Sequence, residues 1–260
     1  MIADIHNKIS RSGSNLSDRL EDQLTGDFFG VLRYLPFNAG MMKILAGSVY
    51  PKELSSHFDN LLCDLNEYEY GDNFIRFWPP DENGEIDVLI DMPTMTIGIE
   101  VKYLSGLSSD DDIFNDSYEE AEFMKSQNQL ARESRIVEKY GKDKRKMLLF
   151  LAQEEDAFST YNKIVDRKII NNGVVFGVVS WQDVLQELRK LQIADPYQQL
   201  MLNDLSSYLI KKGFEKFRSF HADDLPSIEP DNGFLFEASV FDFHNIINIY
   251  VSGGGYYEFR

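Results

Sequence analysis

Cysteine is nearly absent. The chain holds one, Cys63, which excludes an intrachain disulfide and any zinc site built from cysteines. Cys63 reads as a buried, inert thiol, and such sparing use of cysteine fits a reducing, cytoplasmic compartment. The four histidines, His6, His57, His221 and His244, are too scattered for a local metal motif. No segment is apolar for the length that a membrane span needs. The opening residues MIADIHNKIS lack an apolar signal core, which again favours the cytoplasm and no membrane partner. Positive charge is scarce too: 26 Lys and Arg stand against 43 Asp and Glu, a formal net charge of −17. That balance argues against a broad basic surface, although net charge is not local potential. Basic residues gather in Lys139-Tyr-Gly-Lys-Asp-Lys-Arg-Lys146 and in Lys211-Lys-Gly-Phe-Glu-Lys-Phe-Arg218. Each cluster has two readings, a face for a polyanion or a solvated turn or helix end.

What is present is material for a core. Hydrophobic residues make up 43% of 260, with 19 Phe and 13 Tyr. This suits one elaborated domain, or a domain with a small appendage. Leu20, Leu24, Phe28, Val31 and Leu35 recur at helical spacing, which predicts a first helix capped near Ser14 or Ser17 and ended by Pro36. One or two shorter helices are expected over 38–68. Residues 74–78 read as a short strand closed by Pro79 and Pro80, and Asp81-Glu-Asn-Gly84 reads as a turn. Residues 86–90 and 96–103 read as antiparallel strands joined as a hairpin. An acidic loop then leads to a helix over 116–140. Buried strands over 147–152 and 174–179 alternate with helices over 156–169 and from Trp181, the latter capped by Ser180. A further helix is expected over 195–215. This alternation predicts parallel pairing through crossovers. Past Phe220 a polar linker over 223–233 precedes strand candidates over 234–238 and 248–252 and a terminal hairpin at Gly253-Gly-Gly255. Those glycines form a turn and not a phosphate-binding loop, since no strand, lysine and helix surround them.

The informative stretch is the hairpin. Strand periodicity puts Ile86, Val88 and Ile90 on one face and Asp87 on the other. In the second strand Ile97, Ile99, Val101 and Tyr103 share a face, leaving Gly98, Glu100 and Lys102 together on the opposite one. Two carboxylates and an ammonium on one exposed face form a chemical unit, with Gly98 leaving room for a ligand backbone beside it. The carboxylates suit Mg²⁺, which takes hard oxygen ligands. Such a cation polarises a phosphate and lowers the pKa of water. Lys102 would hold or deprotonate the attacking water and stabilise growing negative charge. The competing readings are a half-exposed sheet face, on which Glu-x-Lys is commonplace, and a glycosidase acid/base pair, which leaves Lys102 unexplained. Trp78 and Trp181 read as core or domain-edge residues.

Taken together, Glu85-Ile-Asp87 followed by Glu100-Val-Lys102 resembles the PD-(D/E)xK phosphodiesterase superfamily, the restriction-endonuclease-like nucleases. The resemblance spans about residues 16–185, and Ile86 stands where a proline often precedes the first acid. It implies an α/β fold with a restriction-endonuclease-like core, that is, a helix, three antiparallel strands, a helix and a parallel strand, giving a mixed central sheet flanked by helices. The expected organisation is a nuclease domain over residues 1–222 and a C-terminal β-hairpin extension over 223–260. The resemblance further implies Glu21, in Arg19-Leu-Glu-Asp-Gln-Leu24, as a metal ligand beside Asp87 and Glu100, and Lys102, Gln129, Glu100 and Asp87 as catalytic residues, with Gln127 the competing glutamine. Arg132, Lys144 and Arg145 are the expected substrate contacts, and Glu133 lies on a nearby face of the helix that carries Gln129. The implied cofactor is Mg²⁺, with Mn²⁺ able to substitute. The implied partner is DNA, in a setting of restriction or phage defence, with a homodimer and a protein partner that supplies basic surface as further expectations. The alternative is a non-catalytic nucleic-acid-binding or assembly module of a larger complex, which the charge of −17 favours.

Overall fold

The computed structural model describes residues 2–6, 8, 16–62, 74–111 and 126–216. The chain divides into two units, Met1–Lys216 and Phe217–Arg260. The second unit lies outside the described residues, and with it the linker, strands and hairpin expected past residue 220. Cys63, His221, His244 and the expected cap Ser14 also lie outside them.

The helices are α1 (Ile2–Ile5), α2 (Leu16–Leu32), α3 (Met41–Ser48), α4 (Ser55–Leu62), α5 (Gln129–Gly141), α6 (Glu154–Arg167), α7 (Trp181–Lys190) and α8 (Pro196–Lys211). The strands are β1 (Val49–Tyr50), β2 (Ile75–Phe77), β3 (Pro80–Asp81), β4 (Gly84–Glu85), β5 (Val88–Asp91), β6 (Met95–Val101), β7 (Arg145–Ala152) and β8 (Val175–Ser180). One six-stranded sheet has the order β1-β8-β7-β6-β5-β2, and β3 and β4 form a separate pair. The run β2, β5, β6 is antiparallel, β6, β7 and β8 are parallel, and β1 closes the far edge antiparallel to β8. The sheet is therefore mixed and flanked by helices.

Both faces are covered, as the near-continuous apolar sequences of the parallel strands require. Val88, Ile90, Ile97, Ile99, Val101, Leu149 and Leu151 pack with residues of α2, α3, α7 and α8. Leu89, Leu148, Phe150 and Val178 pack on the opposite face against Leu130 and Val137 of α5 and Ile164 of α6. No helix among the described residues is long and apolar enough to cross a membrane.

Several expectations are corrected. The first helix ends at Leu32, not at Leu35, because its last turn tightens: the Tyr34 amide donates to the Val31 carbonyl and the Leu35 amide to that of Leu32. The residue before Pro36 is disfavoured in helical geometry. Of the helix expected over 116–140, residues 126–128 are not helical and Gln129–Gly141 is, with the Asn128 side chain accepting the Leu130 amide as its N-cap; residues 112–125, and with them the first part of this expectation, lie outside the described residues. Asp87 occupies a bend just before β5 and not the strand itself. That bend breaks the alternation, so Ile86 packs with α5 while Val88 faces the other core. The hairpin face is not half-exposed, because every residue of β6 is buried. Gly98 opens no room for a ligand: a Cβ there would lie 2.4 Å from both Ile86 Cδ1 and Val137 Cγ2. Its lack of a side chain lets α5 approach the sheet.

Candidate functional site

The register explains why the acidic residues meet. In the β5–β6 ladder Val88 faces Ile99. One step beyond the last rung therefore sets Asp87 level with Glu100 on the face that α5 covers. With the ladder ended, the Asp87 side chain takes over its bonding: Oδ2 accepts the Val101 amide at 2.8 Å, and Oδ1 accepts Trp78 Nε1 at 3.0 Å. Trp78 closes β2 with a φ of 45°, a region that costs a bulky residue energy. Its amide donates to the Asp87 carbonyl, so the two residues are tied twice.

Lys102 follows β6 directly. Its amide donates to Leu151 at 2.7 Å, and its carbonyl accepts the indole N–H of the fully buried Trp181 at 2.9 Å. Its Nζ lies 2.7 Å from Glu100 Oε1 and 3.0 Å from Glu21 Oε1. The ammonium thus joins the helix layer that carries α2 to the sheet. Glu21 Oε2 accepts the Tyr103 amide at 3.0 Å and the Ser105 hydroxyl. From α5, Gln129 Nε2 donates to Glu100 Oε1 at 2.5 Å, while Gln129 Oε1 accepts the Ser108 amide and hydroxyl. Glu133, one turn later, is 2% exposed, and neither carboxyl oxygen has a hydrogen-bond partner.

Electrostatics follow from this crowding. Asp87 keeps some exposed surface, yet enough protein encloses its carboxyl to push its pKa well up through burial, with Glu100 adding repulsion and Lys102 opposing. Glu100 is pushed up by burial and then by Glu133, again against the pull of Lys102. Burial raises Glu133 to about 8; Glu100 and Gln129 lie near enough to temper the shift, without hydrogen-bond geometry, and Asp87 adds to it. Burial works against the charge on Lys102, but Glu100 and Glu21 outweigh it and hold its pKa above the ordinary lysine value.

The structure thus brings Glu21, Asp87, Glu100, Lys102 and Gln129 together. Gln127 is exposed, its backbone tied to Asp111 and Ser109. Arg132 sits on α5 beside the site, but its guanidinium donates to the Asn83 carbonyl and the Ser109 hydroxyl, clamping the β3–β4 turn to the loop before α5. Lys144 and Arg145 are not brought to the site. Arg145 pairs with Met95 at the start of β6, a strand length of roughly 20 Å from Glu100 and Lys102, and Lys144 is bound to Asp91 at 2.7 Å.

Three residues escaped the sequence reading as parts of the site. Trp78 and Trp181 were legible as core residues, but nothing local shows that their indole N–H groups hold Asp87 and the Lys102 backbone. Glu133 carried one usable signal, its spacing of four from Gln129, which sets both side chains on one helix face. Among the described residues no three His, Cys, Asp or Glu side chains form a ready metal cage. No protein-family model, curated protein or solved structure matches the chain.

Proposed function

We propose that the chain is a divalent-cation-dependent phosphodiesterase that hydrolyses the DNA backbone. The observation that carries this reading is the meeting of Asp87, Glu100 and Lys102 at the end of β6, with Gln129 bonded to the Glu100 carboxylate. The order of elements supports it, since α2, antiparallel β2, β5 and β6, then α5 and parallel β7 follow the order of the core that the sequence resembles. The donors also fit Mg²⁺, which binds through one or two carboxylates and keeps several waters. Burial first, and then repulsion among the acids, raises the pKa of Asp87 and Glu100, and a cation offsets the repulsion. When bound, Mg²⁺ or Mn²⁺ supplies Lewis-acid polarisation of the phosphate.

The protein's own residues account for the other tasks. Lys102 stays an ammonium at neutral pH because Glu100 and Glu21 hold it so. It therefore donates hydrogen bonds and does not act as a base: it orients a water and stabilises negative charge on the phosphate oxygens. Gln129 fixes the Glu100 oxygen that also meets Lys102. A second reading, a non-catalytic nucleic-acid-binding or assembly module, is favoured by the net charge of −17 and by carboxylates that already engage Lys139, Lys144 and Lys146.

The test is incubation of the full chain with plasmid and single-stranded DNA in Mg²⁺ or Mn²⁺, beside Asp87→Asn and Lys102→Gln variants of verified fold. Cleavage is expected only with metal, and in neither variant. Absence of cleavage by the intact chain on both substrates with both metals sinks the enzyme reading and leaves the module.

A further inference from the structure

Hydrogen bonds are shared unevenly among the carboxylates of the site. Both Glu21 oxygens are committed, one to Lys102 and the other to the Tyr103 amide and Ser105 hydroxyl. Both Asp87 oxygens accept bonds, from Trp78 and Val101. Glu100 receives Lys102 and Gln129 on a single oxygen, Oε1. Glu133 receives none, although it is 2% exposed. A buried carboxyl group without a donor is costly. Its helical neighbours Leu130, Ala131, Ile136 and Val137 are all fully buried apolar residues, among which a leucine at this position would avoid that cost. Glu133 stands one turn beyond Gln129 on the same face of α5, and Gln129 is itself bonded to Glu100 Oε1.

We infer that Glu133 is the carboxylate that meets the divalent cation beside Glu100 and Asp87, and that Glu21 is a positioning residue for Lys102 and not a cation ligand. The inference rests on the cation-dependent reading above. A cation supplies what the Glu133 oxygens lack, a positive partner, in a place where hydrogen-bond donors are already spent on other groups. It also balances a group of acids that faces one buried ammonium. Mg²⁺ retains waters and needs one or two direct carboxylates, so a closed three-acid cage is not required. The role of Glu21 follows from its contacts, which reach the ammonium and the backbone just beyond β6. Removal of that carboxylate leaves the Lys102 ammonium paired with Glu100 alone and releases the Tyr103 amide and the Ser105 hydroxyl, while the Glu100 and Glu133 oxygens stay in place.

The experiment is Mn²⁺ binding to the full chain, followed by calorimetry and by electron paramagnetic resonance of free Mn²⁺, with Glu133→Gln and Glu21→Gln compared. Loss of a direct ligand is expected to weaken Mn²⁺ by at least about tenfold in Glu133→Gln, and Glu21→Gln is expected to weaken it markedly less. Glu21→Gln is expected instead to slow cleavage at saturating Mn²⁺. Intact-like Mn²⁺ affinity in Glu133→Gln, or equal losses in the two variants, overturns the assignment while the nuclease reading stands. Failure of the intact chain to bind Mn²⁺ overturns both. Should Glu133→Gln not fold, Glu133→Asp keeps the charge and withdraws the oxygens by one methylene. Its Mn²⁺ affinity is expected to fall by at least about threefold, and an unchanged value overturns the assignment.

Discussion

Burial holds the Glu133 carboxyl at a pKa of about 8, against an ordinary glutamate value of 4.5. Between those values the folded protein keeps a proton that the unfolded chain has released, so stability falls as pH rises through this window. Asp87 and Glu100 shift in the same direction and steepen the fall. The Glu133 contribution is on the order of a few kcal/mol. Urea unfolding at pH 5 and pH 8, without divalent cation, is therefore expected to show a smaller loss of stability in Glu133→Gln than in the intact chain. Equal losses would show that Glu133 does not hold its proton in the fold. The reading of Glu100 and Lys102 needed only strand periodicity, and that of Asp87 only the hairpin partner. Trp181 needed the packing of α7 on the sheet and Trp78 the pairing of β2 with the segment around Asp87, which no local pattern encodes, and Glu133 offered only its helical spacing from Gln129.

At the level of elements, the approach of α5 to β6 decides whether Gln129 and Glu133 reach the carboxylates at all. Gly98 sets that approach, since a Cβ would lie 2.4 Å from Ile86 Cδ1 and Val137 Cγ2. Overpacking of this kind costs roughly 1–3 kcal/mol. Gly98→Ala is expected to lower stability by that amount in chemical denaturation and to weaken Mn²⁺ binding, as α5 is pushed outward. A loss below about 0.5 kcal/mol would mean that the helix relaxes freely and does not gauge the site. The sequence pointed to glycine at this position as a gap for a ligand, and the gap is filled from within the fold. The reason is general: alternation along a strand reports which residues share a face, not which element covers it. The same limit applies to Asp87, whose bend depends on Trp78, and to the edge strand β1, whose two residues are too few for any period to register.

For the molecule as a whole, the proposed DNA cleavage requires a chain with a net charge of −17 to meet a polyanion. The described basic residues are largely committed: Lys139 to Asp81 and Glu82, Lys144 to Asp91, Lys146 to Glu138, Arg167 to Asp110 and Asp111, and Lys216 to Glu154 and Asp183. A phosphate must compete with these carboxylates, so few counterions are released when DNA binds. On that reading, affinity rests mainly on the divalent cation. Binding of a labelled duplex to the cleavage-deficient Lys102→Gln variant in Ca²⁺ or Mg²⁺ is expected to fall gently with KCl, with a slope that corresponds to at most about three phosphate contacts. A Lys144→Ala, Arg145→Ala double variant is expected to cleave within about twofold of the intact chain, because both residues sit roughly 20 Å of strand from Lys102. A steep salt slope, lost in that double variant, would instead place the DNA along the far end of β7 and break the link between binding and the carboxylate site.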